Sequence, residues 1–167
     1  IMIDDGWSIY TSDDSQRLIS FYEDKEKFPN GLKGCIERIK RDYGVLQVGV
    51  WHSFNGYWKG VDKDSEVYKA QKESLTKTNT GYYIPTGEEA YDFFSTWHKY
   101  LKKQGVDFVK IDTQGNALEY LKGYPDCVGK IIKLQEAVDR SVAENFGGNV
   151  INCMAMHNLN VQNRPYT

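Results

Sequence analysis

Three times in this chain an amphipathic helical pattern runs into a glycine and then into a short β-prone stretch, and that repeat constrains the fold more than any other feature. In "GLKGCIERIKRDY", residues 31 to 43, Leu32, Cys35, Ile36, Ile39 and Tyr43 recur at three- and four-residue spacing, Gly44 follows, and "VLQVGVW" comes next. In "EEAYDFFSTWHKYLKKQ", 88 to 104, the stripe is Ala90, Phe93, Phe94, Trp97, Tyr100 and Leu101, closed by Gly105 and followed by "VDFVKID". In "GKIIKLQEAVDRSVAENF", 129 to 146, it is Ile131, Ile132, Ala137, Val138, Val142 and Phe146, closed by Gly147 and Gly148 and followed by "NVINCM". A helix with one apolar stripe must bury it against another layer, and a glycine after the last turn closes the helix in a left-handed conformation. The opening "IMID" supplies a strand before the first helix. Four strands alternating with three helices predict parallel βα units with right-handed crossovers. Such units build either a small open α/β sheet or half of an eight-fold barrel, and periodicity alone leaves both open.

The unusual polar and aromatic residues gather where the predicted strands end. These ends carry Asp4, Asp5 and Trp7, then Trp51 and His52, then Lys110 and Asp112, then Asn152 and Cys153 with His157 soon after. The C-terminal strand ends are where both barrels and open α/β sheets keep their ligands. A long connection, residues 52 to 87, follows the second strand and holds Tyr57, Trp58, Tyr82 and Tyr83. Connections of that length in a compact domain are usually functional or disordered.

The stretch "FVKIDTQ", 108 to 114, poses the sharpest question, because an isolated charge in a sheet interior costs several kcal/mol unless it is paired or hydrogen-bonded. Alternation puts Lys110 and Asp112 on one face. A nearby ammonium would keep the carboxylate ionised, as a nucleophile or base requires, and a structural ion pair is the plainer alternative. The adjacent Asp4 and Asp5 suit bidentate hydrogen bonding to vicinal sugar hydroxyls, one facing the site while the other fixes the loop; a turn before Gly6 is the alternative. His52 is either a ligand or a satisfied core histidine. His98, inside a helical stripe, reads as surface or core, and Cys153 reads first as a small buried residue. A Schiff-base lyase using Lys110 and a sugar-binding protein without turnover are further readings.

Composition serves mainly to exclude. The net charge of −2 with interspersed signs leaves no basic stripe for nucleic acid or anionic lipid. No apolar run approaches the roughly 20 residues that span a bilayer, and no targeting segment is evident, so a soluble, cytoplasmic protein is expected. Cys35, Cys127 and Cys153 fit neither a disulfide framework nor a zinc site and read as reduced thiols. No glycine-rich phosphate loop or serine-nucleophile elbow occurs, and neither cofactor nor metal is implied. Twelve Tyr and four Trp, several in loop-like sequence, suit ligands with apolar faces, sugars among them. The chain opens inside a strand and stops at "NRPYT", and is expected to be part of a larger domain.

In order and separation, "IDDGW", "EKFPNGLKGCIERIK", "GVLQVGVWHSFNGYWKGV", "GVDFVKIDTQ" and "NFGGNVINCM" resemble the raffinose synthase, seed imbibition protein and alkaline α-galactosidase group of glycoside hydrolases over practically the whole chain. The resemblance implies a (β/α)8 TIM barrel, of which residues 1–167 would be a segment, acting on α-galactosides by a retaining double displacement. It implies Asp112 as the nucleophile, Lys110, Asp4 and Asp5 as ligands of sugar hydroxyls, and Trp51 as a wall of the pocket. Trp7, His52, Trp58 and Cys153 join them as candidate substrate-binding residues. Asn-Cys-Met stands where the family has a Ser-Cys-Met-like segment, and Met156 and His157 continue it in altered form. The family's acid/base aspartate lies on a later strand, expected beyond Thr167.

Overall fold

The structure, a computed structural model, describes residues 1–155. In chain order its elements are β1 (Met2–Ile3), β2 (Ser8–Tyr10), β3 (Leu18–Glu23), α1 (Gly31–Tyr43), β4 (Gly49–Ser53), α2 (Glu66–Gln71), β5 (Leu75–Lys77), β6 (Tyr83–Pro85), α3 (Ala90–Lys103), β7 (Phe108–Asp112), α4 (Asn116–Leu121), α5 (Cys127–Phe146) and β8 (Val150–Asn152). The four expected strands form one parallel sheet in the order β1-β4-β7-β8. Each strand therefore lies beside its predecessor in the repeat, without the reversal that a doubly wound sheet makes at its switch point. Monotonic winding is the topology of a barrel arc, and it settles what the helical and strand periods left open.

Register divides the sheet into two faces. Gly49 pairs with Phe108, Trp51 with Lys110 and Ser53 with Asp112, and by alternation these six residues share the inner face. At the base of that face Phe108 lies over Gly49, where a Cβ would come within 2.4 Å of the ring, so a larger residue would force Phe108 to move. The outer face carries Val50, His52, Val109 and Ile111, all essentially inaccessible. It meets α3 and α5, which pack on each other and add Phe93, Phe94, Trp97, Leu134, Val138 and Val142 to the core. Each fully buried Val, Ile, Leu or Phe contributes about 1.5–3 kcal/mol. Helix α1 ends at Gly44 and α5 at Gly147, with φ 64° and 62°, the left-handed closure that the sequence predicts.

Several boundaries differ from expectation. The second strand starts at Gly49 rather than Val45, and Leu46 is 90% exposed, because strand pairing on both sides begins only where β1 and β7 flank the chain. Helix α5 begins two residues early, where the Asp126 side chain accepts a hydrogen bond from the Gly129 N–H. The long connection 52–87 holds an antiparallel hairpin, β5–β6, and a second hairpin, β2–β3, lies between β1 and α1. Val61 bridges Leu18 on one side and Tyr83 on the other, so the hairpins join into a small irregular second sheet beside the first. A short helix, α4, also precedes α5.

Candidate active site

The C-terminal ends of β1, β4, β7 and β8 bring Asp4, Trp51, Lys110, Asp112 and Cys153 together on the inner side of the sheet. Asp112 ends β7 and is 6% exposed. Its Oδ2 accepts from the Trp51 indole N–H at 3.1 Å and its Oδ1 from the Thr113 backbone N–H at 2.7 Å. Its carbonyl accepts from the Phe54 N–H at 2.8 Å and from Thr113 Oγ1 at 2.7 Å. Both ends of the residue are thus fixed, and among the described residues Asp112 makes no ion pair.

Lys110, two residues earlier on the same face, gives its ammonium to Asp4, at 2.9 Å from Oδ2 and 3.3 Å from Oδ1. The structural pair weighed for Lys110 with Asp112 is therefore a pair with Asp4 instead, across from β7 to the end of β1. Asp4 is held below the usual carboxylate range, chiefly by that hydrogen bond, and Lys110 is raised above its ordinary value for the same reason. A Schiff-base lysine reacts as the free amine, which burial or a neighbouring cation must favour. Here a carboxylate does the opposite, which argues against the lyase reading.

Asp5 turns to the loop after β4. Its Oδ1 accepts from Tyr57 Oη at 2.5 Å and its Oδ2 from the Trp58 indole N–H at 2.7 Å. Tyr57 is buried, stacks on Tyr10 and meets Trp51 edge-on, and burial followed by the Asp5 bond pushes its phenol well above the ordinary tyrosine value. Trp58 is half-buried, lies 5.4 Å from the Trp51 ring, and its carbonyl accepts from Tyr120 Oη at 3.2 Å. A half-exposed indole beside fixed carboxylates can stack on the apolar face of a sugar. Cys153 sits close enough to Asp112 and Lys110 to feel both; burial first, then the Asp112 carboxylate, raises its thiol. It is thus kept neutral beside the nucleophile candidate.

Two expected ligands are core residues. His52 is the outward neighbour of Trp51, fully buried, with Nε2 2.9 Å from His98 Nε2, and His98 Nδ1 lies 2.8 Å from Ser141 Oγ. Strand alternation aims it at α3 and α5, away from Asp112. Trp7 is 2% exposed, donates its indole N–H to the Trp51 carbonyl at 2.6 Å and packs near Trp97. Its carbonyl accepts from the Asp24 N–H, so Trp7 is tied into the core and braces the end of β4. Met156 and His157 lie outside the described residues.

Sequence reasoning passed over Ser53, Asn55 and Thr113. Ser53 was legible, being two residues after Trp51 and so on the face of Asp112. Thr113 carries no local signal, since its conformation, φ 63°, is rare for a β-branched residue. Its hydroxyl meets Ser53 Oγ at 2.6 Å and Asn55 Nδ2 at 3.1 Å. Gln114 ties the β7 and β8 ends together, donating to the Ile111 carbonyl at 2.9 Å and to Asn152 Oδ1 at 3.0 Å.

The family model described as raffinose synthase or seed imbibition protein Sip1 matches residues 15–162. A probable galactinol-sucrose galactosyltransferase 6 of Arabidopsis thaliana is 31% identical over 195 residues, covering 95% of this chain and 25% of the relative. An α-galactosidase of Escherichia coli is 30% identical over 122 residues, covering 66% of this chain and 16% of the relative. Among solved structures, the α-galactosidase from Lactobacillus brevis superposes with a TM-score of 0.61 at 18% identity, covering 91% of this chain and 22% of that one. The α-galactosidase from Thermus thermophilus in complex with stachyose gives 0.59 at 19% identity, covering 90% and 32%. The fold likeness agrees with a segment of a TIM barrel. The chain spans about a quarter of the length of the curated relatives it matches.

Proposed function

The chain belongs to the raffinose synthase or seed imbibition protein family, and from that premise we propose that it carries the donor half of a retaining α-galactoside-processing site. In this reading the Asp112 carboxylate attacks the anomeric carbon, the glycosidic C–O bond breaks, and a galactosyl-aspartate ester forms. The leaving oxygen takes a proton from a second carboxylic acid, which the resemblance puts on a later strand. That group then removes a proton from water or from the hydroxyl of an acceptor sugar, which attacks the ester and frees Asp112. Asp4 and Lys110 hold sugar hydroxyls as a charge-assisted pair, Trp51 orients the nucleophile, and Trp58 offers the ring face a platform. Asp5 acts through the aromatic loop that it anchors.

One observation carries the reading. Asp112 is buried at a strand end with both carboxylate oxygens fixed by N–H donors, while Lys110, two residues earlier on the same face, pairs with Asp4. A carboxylate so oriented is ready to attack, whereas a merely structural one would be expected to take the lysine for itself. The names of the relatives, galactosyltransferases and α-galactosidases, support the substrate class.

The test uses the full gene product and 2-deoxy-2-fluoro-α-galactosyl fluoride, whose fluorine at C2 slows breakdown of the ester. A sugar adduct on the peptide containing Asp112, found by mass mapping, is expected. Binding of α-galactosides without any adduct or turnover would instead make this a sugar-binding protein.

A further inference from the structure

We infer that Thr113 is a positioning residue: its left-handed backbone and three-way hydroxyl contact hold the Asp112 carboxylate in the orientation needed for attack. The inference rests on the reading of Asp112 as nucleophile and adds a residue to that site. At φ 63° a threonine is strained, because its branched Cβ crowds the backbone, and glycine would adopt the same turn freely. Such strain persists only where the surroundings over-determine it.

Here they do so through two sets of bonds. The turn swings the N–H of residue 113 back onto the side chain before it, at 2.7 Å from Asp112 Oδ1. It also sets Thr113 Oγ1 in a fully buried position against the end of β4. The hydroxyl donates its one proton to the Asp112 carbonyl at 2.7 Å and accepts from Asn55 Nδ2 at 3.1 Å, which leaves a lone pair for Ser53 Oγ at 2.6 Å. Ser53 in turn accepts the Asn55 backbone N–H at 3.1 Å and lies 3.1 Å from the Tyr57 carbonyl. The nucleophile candidate is thereby braced against the same segment that supplies Trp51 to its other oxygen. Glycine would relieve the strain and lose the brace; threonine keeps both. A misplacement of the reacting atoms by a fraction of an ångström is costly, which gives such a brace its value.

The experiment measures the rate at which 2-deoxy-2-fluoro-α-galactosyl fluoride labels Asp112 in the full gene product and in its Thr113→Ala, Thr113→Gly and Thr113→Ser variants. In the labelling step a C1–Oδ bond forms, the C1–F bond breaks and fluoride leaves. The maximal rate is expected to fall about 10- to 100-fold in the Ala and Gly variants, with the half-saturating probe concentration changed less than about threefold. Thr113→Ser, which restores the hydroxyl, is expected within about threefold of the parent rate. Circular dichroism checks that each variant is folded, and Ser53→Ala, with an expected loss of about three- to tenfold, replaces any that is not. Ala and Gly variants labelled at the parent rate, or changed only in half-saturation, would overturn the positioning role while leaving Asp112 as nucleophile. A parent protein that turns over α-galactosides but is never labelled at Asp112 would overturn the nucleophile itself, and this inference with it.

Discussion

The two faces of the β4–β7 strand pair carry buried polar groups one residue apart, and they put them to opposite uses. On the inner face Trp51 donates to Asp112 and Lys110 pairs with Asp4, two bonds side by side at the strand ends. On the outer face His52, His98 and Ser141 form a closed chain among Phe94, Trp97 and Phe146, with no exposure. Composition does not separate the two sets, since Trp51 and His52 are adjacent in sequence. Strand parity separates them. Polar groups at a mouth can exchange a partner for a ligand, whereas those under helices must satisfy each other, because an unmet buried donor or acceptor costs about 1–3 kcal/mol.

Breaking either face tests that division. The largest effect is expected from Asp112→Asn, which leaves shape and packing in place and removes the charge proposed to attack. Turnover of α-galactosides by the full gene product should fall at least about 10³-fold with its circular dichroism unchanged. An unchanged rate would dissolve the distinction between the faces. The outer face should respond in stability and not in chemistry. His98→Ala opens a cavity and strands both His52 Nε2 and Ser141 Oγ, so a loss of about 3–5 kcal/mol is expected in urea unfolding.

Acid gives a gentler probe of the same pair. Burial lowers His52 to about 4 and His98 well below its ordinary value, the latter also through His52 itself. Below about pH 6.5 the unfolded chain takes up protons that the folded one refuses. Stability should therefore be full above pH 6.5 and decline as the pH falls toward 4, by on the order of 3 kcal/mol from His52 alone. Thermal melts across that range should show the decline, and a His52→Leu variant should flatten it.

The smallest stability change belongs to the inner face. The Asp4 side chain is 57% exposed, so Asp4→Asn should cost less than about 1 kcal/mol in unfolding, as exposed ion pairs usually do. The same variant should weaken galactoside binding measurably by calorimetry. A large loss of stability with intact binding would assign Asp4 to structure.

Much of this was legible in the residues. The helix over 31–43 appears with the expected bounds, and the parity of Lys110 and Asp112 placed both on the site face. The hairpins β2–β3 and β5–β6 were not, because β2, β5 and β6 are three residues each and the two hairpins are joined to one another through Val61, far from both in sequence pattern. Nor was the choice of Asp4 over Asp112 as partner for Lys110, which joins residues 106 positions apart.

The sequence by itself determined the βα repeat, the strand ends as the place of the candidate site, and the group of acids, lysine and tryptophan that gathers there. These follow from local period, helix closure and side-chain alternation, which act over a few residues. Only the tertiary structure decided the winding of the sheet, the inward aim of Trp51 against the outward aim of His52, and the strained turn at Thr113. Those depend on which distant backbone supplies each hydrogen bond, and no local pattern encodes that.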